Sequence, residues 1–301
     1  MDMNGRAVEA REISKTFGDR RVVDQLSFEV RRGEIFGLIG PNGAGKTTTI
    51  RMMMDIVKPD SGELHVLGRT LDDEIKDAIG YLPEERGLYR KAGVLESAVF
   101  LATLKGMDAK QAKGRALDLL KRVNLQAHVA KKVEELSRGM SQILQFVVTV
   151  IHRPRLVILD EPFANLDPIN TELMKQIVYE LKEEGTAIIL STHRMDDVEE
   201  LCDRVLMINR GQRVLYGSLS EIKSRFPGNS VIVECQGPLS SLSGVVDTRQ
   251  HGKGIELTLD GKTQPCDILT QLVERHVNVT RFEIGVPSLQ EIFVQVVKNG
   301  P

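Results

Sequence analysis

Two stretches near the start of the chain, residues 7–13 and 25–30, alternate apolar and polar side chains with a period of two. In the second, Leu26, Phe28 and Val30 interleave with Gln25, Ser27 and Glu29, which predicts a half-buried strand. Ile35–Ile39 and residues 156–159 and 187–190 behave differently. They are short unbroken apolar runs, as in strands covered on both faces. A further short strand is expected around Leu64 and Val66, opened by Ser61-Gly62.

Helical spacing fills the intervals. Residues 47–56 read as a helix, with Pro59 stopping the segment. Residues 94–133 read as mostly helical: Ala112, Ala116, Leu119, Leu120 and Val123 recur on one face, with Lys113, Arg115 and Lys121 between them. Residues 171–184 form another helix, with Gly185 at its C-cap. Buried strands alternating with helices point to a parallel α/β core. After Phe226 the texture changes. Pro227-Gly228-Asn229-Ser230 reads as a junction between residues 1–227 and a second domain, 228–301. Strands at 231–235 and 255–259, a hairpin turn at 251–254 and helices at 268–276 and 289–297 make that domain a small α+β unit.

Composition narrows the classes. At 301 residues, 41% of them hydrophobic, the chain has ample core material, and a net charge of -2 gives no global basic field for nucleic acid. Cys202, Cys235 and Cys266 are scattered, and with His251 and His276 they show no metal-ligand spacing. The start, Met1-Asp2-Met3-Asn4, lacks a signal pattern. The longest apolar run, residues 143–151, contains Gln145 and Thr149 and falls short of the roughly 20 residues that span a bilayer. A role at a membrane therefore needs another protein's transmembrane segments.

The chemistry begins after the first buried strand. Gly40-Pro41-Asn42-Gly43-Ala44-Gly45-Lys46-Thr47 fits G-x-x-x-x-G-K-[ST] at every position. Glycines let the backbone N–H groups of Asn42, Gly43, Ala44, Gly45, Lys46, Thr47 and Thr48 curl around phosphate, and the next helix turns its positive end to the same anion. Lys46 reaches the β- and γ-phosphates, and the Thr47 hydroxyl ligates Mg²⁺. A glycine-rich turn with an incidental lysine is the bland alternative; the strand before and helix after argue against it. The second buried strand ends in Asp160-Glu161, placing Asp160 beside the metal and Glu161 where it activates water. Together the two motifs establish a P-loop nucleotidase.

Leu136-Ser137-Arg138-Gly139-Met140, shortly before the Asp160 strand, resembles the L-S-G-G-Q signature of ATP-binding cassette (ABC) proteins. The rest of that family's order is present. Phe17 sits where an aromatic stacks on adenine, Ala164-Asn165-Leu166-Asp167 resembles the D-loop, and His193 follows the third buried strand as the switch histidine does. The resemblance spans roughly residues 7–220. It implies a parallel RecA-like core, an antiparallel β subdomain and a helical subdomain at about residues 85–150. It also implies that Ser137 and Gly139 serve the opposite protomer's ATP, that Asp167 couples the two sites, and that His193 bonds the γ-phosphate and positions Glu161. Two departures stand out. Glu84 follows Tyr81-Leu82-Pro83 where the family has Gln; a carboxylate there still ligates Mg²⁺ or holds water. In the signature, Met140 replaces the glutamine and Arg138 the first glycine, Arg138 either adding positive charge near the partner's phosphates or pointing to solvent.

The segments 83–89 and 287–293 are similar to the exporter group that includes sodium-extrusion ATPase subunits. The resemblance implies an ABC-2-type efflux subunit, cytoplasmic and peripheral on the inner face of the membrane. It would pair with a second cassette, identical or paralogous, and with a separate permease docked near Leu88, Tyr89, Val94, Leu95 and Phe100. The competing expectation is a soluble cassette acting on ribosomes or nucleic acid. The tail is expected to regulate or to make dimer contacts.

Overall fold

The computed structural model describes residues 5–70, 72–85, 87–226, 228, 230–236 and 242–299. The first four residues, Arg86, and Pro227 and Asn229 of the junction lie outside them, as does the His251 side chain. The chain divides into two compact units, Met1–Leu219 and Ser220–Pro301.

In the first unit, β1 (Arg6–Phe17) and β2 (Arg20–Arg31) form an antiparallel hairpin, followed by β3 (Ile35–Ile39), α1 (Lys46–Met53) and β4 (Ser61–Val66). Next come α2 (Asp73–Asp77), β5 (Ile79–Leu82), α3 (Val94–Leu104), α4 (Ala109–Arg122) and α5 (Arg138–Val150). The unit is completed by β6 (Leu156–Asp160), α6 (Pro168–Glu183), β7 (Ala187–Thr192), α7 (Met195–Leu201), β8 (Arg204–Asn209) and β9 (Gln212–Ser218). One sheet is antiparallel, in the order β2-β1-β4; the other is six-stranded, β5-β6-β7-β3-β8-β9, parallel except for β9. The helices α3, α4 and α5 pack together as the helical subdomain.

The apolar runs explain the layers. Every residue of β3, β6 and β7 is buried. The inner face of the antiparallel sheet, through Ile13, Val23, Leu26 and Val30, joins one core with Phe36, Leu38, Ile158, Ile189 and Leu206 of the parallel sheet. Phe28 and Phe36 stack across that junction with ring centroids 6.0 Å apart. Each such side chain contributes about 1.5–3 kcal/mol by leaving water.

Some boundaries differ from expectation for local reasons. α1 stops at Met53, because Asp55 turns to φ 57 and ends the helix before Ile56. α6 starts earlier than expected, at Pro168: Asp167 caps it, and a proline fits its first turn. Val94 is fully buried in the subdomain core, so it is no part of a docking surface.

The second unit begins with α8 (Leu219–Arg225), most of which it contains, and continues with β10 (Ser230–Gln236), β11 (Val245–His251), β12 (Gly254–Leu259), α9 (Pro265–Glu274), β13 (Asn278–Ile284) and α10 (Leu289–Asn299). Its four strands pair antiparallel in the order β11-β12-β10-β13, and His251 opposite Gly254 closes the hairpin. Ile268 and Leu272 of α9 pack on Val231, Val233, Leu257 and Leu259. Among the described residues, no helix is long and apolar enough to cross a membrane.

Candidate nucleotide site

Four adjacent strands, β5, β6, β7 and β3, end on the same edge of the parallel sheet. Their register aligns Leu82 with Leu159, Asp160 with Ser191, and Thr192 with Ile39. The residues that follow these strand ends therefore converge: Glu84 after β5, Glu161 after β6, His193 after β7 and the glycine loop after β3. They line a cleft of about 360 Å³ together with Val22, Asn42, Gly43, Ala44, Gly45, Lys46, Thr47, Thr48 and Asp160. This is where an open α/β sheet binds its ligand.

The loop needs glycine at two points. Gly40 has φ 151, and a Cβ there would stand 2.1 Å from the Ile208 carbonyl oxygen. Gly45, at φ 112, precedes α1 and leaves no room for a Cβ beside the Val22 carbonyl, 2.7 Å away. Lys46 is 9% exposed. Its Nζ donates to the carbonyls of Gly40, at 2.7 Å, and Pro41, at 3.2 Å. Burial lowers its pKa, while the charges of Glu161, Asp160 and Glu84 oppose that shift.

Three carboxylates thus face one lysine. Asp160 is held above the usual carboxylate range, first by burial, with Glu84 and Glu161 adding to the effect. Tyr81 is pushed up to about 12 by burial and by the Asp160 charge. Negative charge collected this way suits a divalent cation. Among the described residues, no three His, Cys, Asp or Glu side chains form a metal cage. An ion here needs further ligands from outside the chain, as Mg²⁺ takes from phosphate and water. Thr47, Asp160 and Glu84 are the groups present to hold it.

Glu161 has φ 49 and a side chain largely shielded from solvent. Its Oε1 accepts from the His193 backbone N–H at 3.0 Å and lies 2.7 Å from His193 Nδ1. The Thr192 hydroxyl donates to Oε2 at 3.2 Å. A carboxylate gripped at both oxygens has a fixed aim, which proton transfer requires.

The other expected site residues stand outside this lining. Phe17 lies at the end of β1, half exposed, with Lys15 Nζ 5.6 Å from its ring centroid; Val22 of the same hairpin lines the cleft instead. Ser137 caps α5 by accepting from the Met140 N–H at 3.2 Å. A Cβ on Gly139 would sit 3.2 Å from the Asn165 carbonyl, so the signature turn packs on the Ala164–Asp167 turn. Asp167 caps α6 through the Asn170 N–H at 3.0 Å. Helix α5 also braces the site from within: Gln142 Nε2 donates to Pro162 O and Gln145 Nε2 to Glu85 O, both at 3.3 Å. Val22, Thr192 and these two glutamines escape sequence reading. Thr192 alone carried a signal, standing immediately before His193.

Comparison with known proteins bears on this arrangement. Residues 23–164 match the family model for the ABC transporter, and residues 217–297 match the C-terminal domain of DrrA1-3-like ATP-binding proteins. An uncharacterized ABC transporter ATP-binding protein of Bacillus subtilis, YhaQ, is 40% identical over 95% of this chain and 96% of its own length. A Nod factor export ATP-binding protein of Mesorhizobium japonicum is 34% identical over 96% of this chain and 86% of its own. A solved ATP-binding subunit of an ABC transporter is 31% identical and superposes with a TM-score of 0.69, covering 73% of this chain and 93% of the other. The chain belongs to the ABC transporter family, as one of its ATP-binding proteins.

Proposed function

We propose that this ATPase hydrolyses MgATP in a cleft completed by a second cassette and thereby drives export through a separate membrane permease. The observation that carries this reading is Glu161, held by His193 and Thr192 over the glycine loop and beside Lys46 and Asp160. The loop N–H groups and the α1 N-terminus take the phosphates, and Lys46 leaves its carbonyl partners for them. Thr47, Asp160 and Glu84 would hold Mg²⁺, which would supply positive charge against the phosphates. Glu161 accepts the proton of the attacking water. His193 fixes Glu161 and, with its ring two-thirds exposed, reaches the γ-phosphate. Phe17 offers an exposed ring on which adenine stacks.

Ser137, Gly139 and Asp167 serve the facing copy, since none lines its own chain's cleft. The permease docks at a cavity of about 350 Å³ in the helical subdomain, lined by Leu88, Arg90, Val133, Glu134, Leu136, Ser141 and Gln145. Tyr89 and Phe100 are exposed apolar side chains of the same subdomain. Work at the inner face of the membrane follows from that partnership, and the direction, outward, from the relative named for export.

Glu161→Gln is the test. It keeps the shape and removes the base, so turnover should fall by roughly 10²- to 10⁴-fold with ATP still bound. ATP should then hold the variant as a dimer in size-exclusion chromatography with light scattering. A variant that hydrolyses ATP at the normal rate would overturn the assignment.

A further inference from the structure

Behind the cleft, α6 and α7 are tied by a buried charge cluster. Lys175, on α6, is 7% exposed, and Asp197, on α7, is 2% exposed. Lys175 Nζ lies 3.0 Å from Asp197 Oδ1 and 2.6 Å from Glu200 Oε2, and 5.6 Å from the centroid of the Phe163 ring, two residues past Glu161. The Arg194 Nε stands 3.2 Å from the other Asp197 oxygen. Two cations and two carboxylates balance. Burial works against the charge of Lys175, but its bonds to Glu200 and Asp197 outweigh that and raise its pKa. Removing Lys175 leaves the buried Asp197 with the half-exposed Arg194 as its remaining cation.

The cluster continues to the catalytic carboxylate. The Arg194 N–H donates to Thr192 Oγ1 at 3.1 Å, and that hydroxyl donates to Glu161 Oε2 at 3.2 Å. His193, between them, grips Glu161 Oε1. The path from Lys175 runs through ion pairs at Asp197 and Arg194 and then through hydrogen bonds at Thr192 to Glu161; among the described residues Asp197 Oδ2 accepts no hydrogen bond, so its tie to Arg194 is one of charge alone. Lys182, two turns further along α6, makes a different tie: to Asp203 Oδ1 at 2.7 Å, whose Oδ2 accepts from the Ile35 N–H at the far end of the sheet.

We propose that Lys175 is a positioning residue for hydrolysis: by clamping Asp197 it sets the α7 start, and through Arg194, Thr192 and His193 it fixes the aim of Glu161. This rests on the reading of Glu161 and His193 above. The residue is not among those that line the cleft. Its effect falls on turnover and not on ATP binding, because the glycine loop and Lys46 belong to other elements.

The experiment uses the full chain and steady-state ATPase assays. Lys175→Met, and Lys175→Met with Asp197→Asn should the first variant fail to fold, should lower kcat roughly 10- to 100-fold, the cost of a slightly misplaced catalytic group. KM for ATP should stay within about twofold, and Lys175→Arg, which keeps the charge, should recover most of the rate. Lys182→Met should leave kcat unchanged. In a His193→Ala background, Lys175→Met should add less than about a twofold further loss, because residues acting through one another are not additive. Normal kcat in the Lys175 variants, an equal fall in Lys182→Met, or a full independent loss in the His193→Ala background would each overturn the proposal. If Glu161→Gln is inactive while the Lys175 variants are normal, this inference fails and the assignment of the base survives. If Glu161→Gln is active, that assignment fails first.

Discussion

The two units of the chain use the same elements to different ends. In the first, three adjacent strands, β6, β7 and β3, are buried along their whole length, and their ends deliver carboxylates, a histidine and the glycine loop to one edge. In the second, β10 is buried at alternate positions, and the sheet is covered by α9 through Ile268 and Leu272. The shifted groups at the cleft differ from Asp260 and Arg281 in the second unit, although Asp24 and Asp60 of the first unit are also shifted by surface hydrogen bonds. Lys46, Asp160 and Tyr81 of the first unit owe their shifts chiefly to burial beside other charges. Asp260 and Arg281 of the second are shifted by local hydrogen bonds at the surface. Perturbed groups mark chemistry only where burial and convergence coincide. By that measure the first unit carries the reaction; the shifts of Asp260 and Arg281 in the second show no such convergence. Val246, Val273, Ile284 and Val286, all more than half exposed, belong to the second.

The sharpest way to break this division is to loosen the second core. Leu272 is fully buried against the sheet. Leu272→Ala should destabilise that unit by about 2–5 kcal/mol, through lost transfer energy and the cavity left behind. Limited proteolysis should then cut within residues 220–301 first, while ATP turnover stays at the normal rate. Turnover falling in step with proteolysis would show that the second unit takes part in the chemistry.

Acid should separate the units next. His152, just after α5, donates from Nε2 to the Ile79 carbonyl at 3.3 Å, and its Nδ1 is buried without a partner among the described residues. Burial, helped by the Lys105 charge, drops its pKa from 6.5 to about 4. The folded value lies below the unfolded one, so the group's full contribution is present above pH 6.5. As pH falls from 6.5 toward 4, the unfolded chain takes a proton that the folded chain refuses, and stability is lost; below about 4 both are protonated and the loss levels off. The whole change is on the order of 3 kcal/mol. Urea titrations at pH 7 and pH 4.5 should show His152→Leu losing less stability than the parent chain.

How far the sequence announces all this follows the range of the forces. β3, β6 and β7 are legible because a strand covered on both faces must be apolar throughout, and the glycine loop because its φ angles admit little else. The short β5 and the β8–β9 hairpin escaped reading. β5 has four residues, and charged Arg204 and polar Asn209 bound β8. β13 hid for another reason: exposed residues such as Arg281 and Glu283 break up its apolar pattern. In the site, Asp160 and Glu161 announce themselves by following an apolar run. The grip on Glu161 needs residues from the end of a different strand, and the Lys175–Asp197 pair joins two helices separated by β7. Side-chain ties of that span leave no periodicity along the chain.

The smallest expected effect concerns Arg138, the departure that sequence left open. It is exposed and occupies the first position of α5, whose first turn holds no acidic residue. A cation at the positive end of a helix is repelled by the unpaired N–H groups there. Arg138→Gln should therefore stabilise the nucleotide-free first unit by about 0.3–1 kcal/mol, a gain confined to low ionic strength. Urea titrations at low and high salt check it, since screening erases a dipole interaction at the surface and leaves a packing change untouched. A gain that survives high salt would refute the electrostatic account. A loss at low salt would mean that Arg138 already has an anion to hold in the single chain, and the contrast between a charged first unit awaiting a ligand and a self-contained second one would have to be redrawn at that residue.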